Sequence, residues 1–102
     1  MLLYVTAENV EAAAAIGRAL VTDRLAACVN ILPGVTSIYR WEGEVREAAE
    51  AVLIVKTVPE LEMAVRARIR TLHGYELPCI LTLSDGKGDP DFQAWVAASV
   101  GP

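Results

Sequence analysis

Apolar positions along the chain change their period several times, and each change marks an element. Leu2 to Thr6 is a short β-prone run closed by "TAEN", in which Asn9 can cap a helix by accepting from its free N–H groups. From Val10 to Arg24, Ala13, Ile16, Gly17 and Leu20 recur at helical spacing, a stripe of small and aliphatic residues suited to close packing on a sheet. Ala27 to Leu32 reads as a buried strand. Pro33-Gly34 then interrupts it, because proline cannot donate to a ladder and glycine permits a bulge. Val35 to Trp41 resumes the strand, Glu42-Gly43 turns it, and Glu44 to Thr57 returns through "EAAEA" to "AVLIVKT". A helix as short as "EAAEA" would be unstable alone, so an extended arm is expected there.

Thr57-Val58-Pro59-Glu60 has the spacing of a capping box and predicts a helix with Val58, Leu61, Val65, Ile69 and Leu72 on one face. That helix is expected to end at His73-Gly74, with the glycine in the left-handed closing conformation. Leu77 to Leu83 is the next strand. "SDGKGD" is a loop in which Asp85, Asp89 and Asp91 serve turns and caps, and Asp89-Pro90 opens a last helix carrying Phe92, Trp95 and Val96.

The order β-α-β-β-α-β plus a C-terminal helix predicts an α+β, ferredoxin-like domain over residues 1–102, an antiparallel sheet with two helices on one face. Its hairpin is long. Arms of about 14 residues at ~3.3 Å each span ~46 Å, whereas a domain of this size has a radius of gyration of ~13 Å. A projecting two-stranded ribbon is marginal in water, so Tyr39 and Trp41 near its tip are expected to anchor it on another copy of the chain. The alternative is a shorter hairpin packed within one subunit.

Composition narrows the partners. A net charge of -4 over 102 residues argues against a nucleic-acid partner despite Arg66, Arg68 and Arg70. No apolar run approaches the ~20 residues of a membrane span, and the N-terminus lacks a basic signal region, which places the chain in the cytoplasm. Two cysteines, Cys28 and Cys79, each flanked by apolar residues, indicate core packing rather than a disulfide framework.

Candidate chemistry centres on "LHGYELPC". His73 is the only histidine, and Tyr75, Glu76 and Cys79 follow within six positions. Imidazole, carboxylate and thiolate are ligands for divalent or soft metals, so His73, Glu76 and Cys79 are the candidate metal set, with Cys79 equally readable as a core residue. No nucleophile stands in a motif with an activating histidine, and no carboxylate pair stands out, so no enzyme is expected.

Taken together, "LAACVNILPGVTSIYRWEGEV", "EAVLIVKT", "LHGYELP" and "DPDFQAWV" resemble the CutA1 family of divalent-cation tolerance proteins. The resemblance covers essentially the whole chain. It implies a ferredoxin-like homotrimer joined through long hairpins, and a link to tolerance of copper and other divalent ions. Some bacterial members bind copper through a first-strand cysteine and a histidine pair. The matching positions here hold Val5 and Leu72-His73, with Gly74 where a proline is usual. The family's recurrent polar positions match Trp41, Glu50, Lys56, His73 and Tyr75, and Trp41, Glu50, Lys56 and Tyr75 are expected to line an inter-subunit cleft. The alternative function is that of the similarly folded, trimeric PII signalling proteins, acting through partner proteins.

Overall fold

The structure is a computed structural model describing residues 1–84 and 87–102. Asp85, read from the sequence as a turn residue, and Gly86 lie outside the described residues. Strand β1 (Leu2–Ala7) leads to helix α1 (Val10–Thr22), then strands β2 (Cys28–Trp41) and β3 (Glu44–Lys56). A 3-10 turn (Pro59–Leu61) precedes helix α2 (Glu62–Leu72), followed by β4 (Ile80–Ser84) and α3 (Pro90–Ser99). The sheet order is β2-β3-β1-β4 with every pair antiparallel, which is the ferredoxin-like α+β arrangement expected from the element order.

One face of the sheet holds the core. Leu3 and Val5 of β1 and Leu53 and Val55 of β3 meet Ile16 and Leu20 of α1 and Val65 and Ile69 of α2. The stripe Ala13, Ile16, Gly17 and Leu20 is buried as its spacing predicted. A side chain at Gly17 would put its Cβ 3.4 Å from Val29 Cγ1, so the glycine sets how closely α1 approaches β2. Asn9 caps α1, its side chain accepting from the Ala12 N–H at 2.8 Å. Asp89 likewise accepts from the Phe92 N–H and caps α3.

The hairpin projects. The molecule measures 44 × 24 × 21 Å, and β2 and β3 pair continuously out to Trp41↔Glu44. Glu42 and Gly43 both have positive φ, 50° and 81°, the two-residue mirror-image turn whose twist suits antiparallel strands. Between Leu32↔Val52 and Val35↔Glu50, Pro33 and Gly34 stand opposite Ala51 alone. This is the bulge expected at Pro33-Gly34, and Gly34 takes φ +71°, where a side chain is strained. Because side chains alternate along a strand, the extra residue reverses which positions of β2 face which way. Cys28, Asn30 and Leu32 share the helix-free face before it, and Ser37, Tyr39 and Trp41 share that face beyond it.

Several boundaries differ from the sequence reading. Thr57 does not form a capping box. It is buried, and its hydroxyl donates to the Leu25 carbonyl at 2.6 Å, so the chain enters α2 through the 3-10 turn with no side-chain cap. Gly74 is not a left-handed closure either. His73 leaves the helix in extended geometry (φ -81°, ψ 139°) while its N–H still bonds to the Ile69 carbonyl. Leu72, placed on the buried face of α2 by its spacing, is exposed at this frayed end. Helix α1 stops at Thr22 rather than Arg24, and β4 starts at Ile80 rather than Leu77, beyond Pro78, which has no N–H to give a ladder. On α3, Val96 is buried while Phe92 and Trp95 remain about half exposed. Cys28 and Cys79 are free and half-buried, and neither belongs to the helix-side core. Arg66 and Arg68 pair with Glu62 and Asp23, at 2.8 and 3.2 Å.

Candidate functional site

The helix-free face of β1, β3 and the outer half of β2 meets the segment after α2 in one open pocket of about 670 Å³. Strand β1 contributes Tyr4 and Thr6; β2 contributes Ser37, Tyr39 and Trp41; β3 contributes Arg46 and Glu50. The post-helix segment adds Tyr75, Glu76 and Cys79. The bulge keeps this assembly in register, since Pro33 and Gly34 together take one place opposite Ala51 and leave Tyr39 and Trp41 opposite Arg46 and Glu44.

At the centre, the Tyr75 hydroxyl donates to Glu50 Oε2 at 2.8 Å. Burial first, and then the hydrogen bond and charge of Glu50, push the Tyr75 phenol well above its ordinary ionisation. The phenol therefore stays protonated and serves as a donor. Arg46 lies four positions further out on β3, roughly 13 Å along the strand. It sits 3.7 Å from Glu44, an exposed pair of little energetic weight.

Tyr75 is held in place by His73. The Tyr75 backbone N–H donates to His73 Nδ1 at 3.1 Å, and the ring packs beside the Tyr75 ring with centroids 4.6 Å apart. An Nδ1 that accepts carries no proton, so the proton is on Nε2, which donates to the Thr6 carbonyl at 2.6 Å. Both ring nitrogens are thus occupied by main-chain groups. His73 ties the segment after α2 to β1.

The three candidate metal ligands are consequently divided. Glu76 and Cys79 line the pocket, whereas His73 lies behind it with no lone pair to offer unless a hydrogen bond is given up. Among the described residues no three His, Cys, Asp or Glu side chains are grouped so as to hold a metal ion. The described residues of one chain accordingly offer a divalent ion no complete donor set.

Of the expected cleft residues, Glu50 and Tyr75 meet at the centre, while Trp41, opposite Glu44, lines the outer end of the same pocket with Tyr39 between. Lys56 does not join them within one chain. It is six positions from Glu50 on the same face of β3, roughly 20 Å away. There its ammonium donates to Asn30 Oδ1 and lies 5.9 Å from the centre of the Phe92 ring. Sequence reasoning missed Tyr4 and Arg46. Arg46 was countable, because a two-residue turn at Glu42-Gly43 places it opposite Tyr39, while Tyr4 carries no signal beyond alternation with the buried Leu3 and Val5.

A family described as the CutA1 divalent ion tolerance protein matches residues 1–99. The chain belongs to the CutA1 family. The divalent-cation tolerance protein CutA of Thermus thermophilus is 42% identical over 99 residues, covering 97% of this chain and 96% of that protein. Its solved structure superposes with a TM-score of 0.94 over 98% of this chain and 97% of its own. The mouse protein CutA is 40% identical over 93 residues, 91% of this chain but 52% of its own length. The chain thus spans about half of that CutA1 relative. The rice CutA1 structure, 36% identical, also gives a TM-score of 0.94, covering 98% of this chain and 92% of that one.

Proposed function

We propose that this CutA1 chain acts in divalent-cation tolerance as a cytoplasmic homotrimer of single-domain subunits, receiving its ligand in a cleft around Glu50 and Tyr75 where copies meet. The observation that carries this reading is the projecting hairpin together with the apolar sheet face that α1 and α2 leave open. Ile38 and Val45 near the tip are 66% and 65% exposed, and Leu81 on the open face is 57% exposed. A two-stranded ribbon carrying such residues into water is marginal, and β2 is an unpaired edge along all of its 14 residues. Covering both needs another copy, and three is the number that the family resemblance implies.

The same reading assigns the pocket a binding role and no catalytic step. Any contribution of Lys56 comes from a second copy, given its distance from Glu50 in its own chain. A copper or other divalent-ion site likewise needs donors from a second copy beside Glu76 and Cys79, since His73 is committed to the main chain. Multi-angle light scattering at micromolar concentration tests the assembly, with an expected mass about three times the 11.0 kDa of the chain. A stable monomer would sink the proposal.

A further inference from the structure

We propose that Lys56 of a second copy is the countercharge of Glu50, so that the cleft of one chain is closed by the lysine-bearing pocket at the foot of β3 in the next. The inference rests on the reading of the chain as a homotrimer, and it names the two surfaces that the assembly brings together. In a ring of three, every interface joins one patch to a different patch of the neighbour. The surface around Glu50 and Tyr75 therefore needs a complement elsewhere on the same chain, and the charges say where.

Glu50 is half-buried at the centre of its pocket. Its one side-chain hydrogen bond comes from the neutral Tyr75 hydroxyl, and among the described residues it makes no ion pair. A carboxylate that loses more of its water when a second copy covers the sheet is costly unless that copy brings a cation. Lysine and arginine number nine. Arg18, Arg66, Arg68 and Arg70 stand on the helices, Arg24 donates to the Gly101 carbonyl beyond the end of α3, and Arg40, opposite Val45, faces the helix side of the hairpin. Arg46 belongs to the Glu50 pocket itself. Lys56 and Lys87 remain, and both line a second pocket of about 330 Å³.

That second pocket complements the first. Leu2, Phe92 and Val96 give it apolar walls, and Asp89, the carboxylate at its rim, is engaged in capping α3. Lys56 donates to the neutral Asn30 side chain and lies near the Phe92 ring, so its charge is left uncancelled by these neighbours. By strand alternation Leu2 and Lys56 lie on the same open sheet face as Tyr4, Thr6 and Glu50, where a copy laid against that face meets them directly. Within one chain Lys56 and Glu50 are roughly 20 Å apart, too far to pair. Between two chains the ion pair is screened from water by Tyr75 on one side and Phe92 on the other, and it weighs more than the exposed contact of Arg46 with Glu44.

A carbodiimide joins a carboxylate to an ammonium in contact with it and leaves no spacer. In the full chain, at a concentration where light scattering reads a trimer, the expected product is an amide between Glu50 and Lys56, identified by mass spectrometry and running as a multiple of the chain on a denaturing gel. Charge reversal gives a second reading. Glu50→Lys and Lys56→Glu should each lower the guanidinium concentration at which the trimer dissociates, and the double variant should recover at least about half of the combined loss, because the reversed pair attracts again. Where a reversal prevents folding by circular dichroism, Glu50→Gln, Lys56→Met and their double complete the same cycle. Losses that simply add in the double variant, or a trimer in which no link between Glu50 and Lys56 forms, overturn the inference. A monomeric parent refutes instead the assembly on which it rests.

Discussion

Replacing His73 with alanine separates a structural tie from a metal ligand. The imidazole bridges two main-chain groups, the Thr6 carbonyl at 2.6 Å and the Tyr75 N–H at 3.1 Å. Each such bond contributes about 1 kcal/mol net, and leaving a buried partner bare pushes the cost up, so a loss of about 2 kcal/mol is expected. For a domain of this length that corresponds to a fall in Tm of roughly 8–16 °C. The melt should be run by circular dichroism in chelator at fixed protein concentration, so that neither metal nor assembly shifts the comparison. Hydrogen exchange offers a local readout, since the Tyr75 amide should lose its protection while amides in the middle of β3 keep theirs. A residue whose task is to hold metal would leave the metal-free melt untouched. A Tm within about 2 °C of the parent, with Tyr75 still protected, would refute the assignment.

Two further outcomes follow from the geometry. The ultraviolet titration of Tyr75, isolated by difference against Tyr75→Phe, should fall above its ordinary value of 10.0. Its folded-state ionisation is raised, so the stability it contributes is complete below pH 10 and declines as pH rises beyond it; a difference titration centred at or below 10 would contradict the hydrogen bond to Glu50. Thr57→Val should cost about 1–3 kcal/mol by stranding the Leu25 carbonyl, whereas Glu60→Ala should change stability by less than about 0.5 kcal/mol; denaturant melts that reverse the order would restore the capping box.

The fold was legible because its elements are strongly periodic. The stripe on α1, the Asn9 and Asp89 caps, the Pro33-Gly34 bulge and the Glu42-Gly43 turn each follow from local chemistry that tertiary contacts did not override. The failures share a cause. Thr57 and Gly74 were assigned local roles from spacing, but burial gave the Thr57 hydroxyl a distant partner, and His73 took over the exit from α2.

The site was legible only in part for the same reason. Trp41, Glu50 and Tyr75 come from three separate segments, and the resemblance that grouped them also grouped Lys56, because a list of positions carries no distances. The role of His73 was the least readable, since both of its partners are main-chain atoms that any residue could have supplied.

The bulge gives this arm a spare residue. Pro33 and Gly34 share one place opposite Ala51, so a chain one residue shorter there closes the ladder as regular pairs and still sets Tyr39 opposite Arg46 and Trp41 opposite Glu44, on the same face as before. A second loss has no such slack: unless β3 lost a residue too, alternation would turn Cys28 and Asn30 at the base of β2 to the other face. Length in this arm is thus buffered once, and the side chains that reach the cleft are set by the turn rather than by the residues at the bulge.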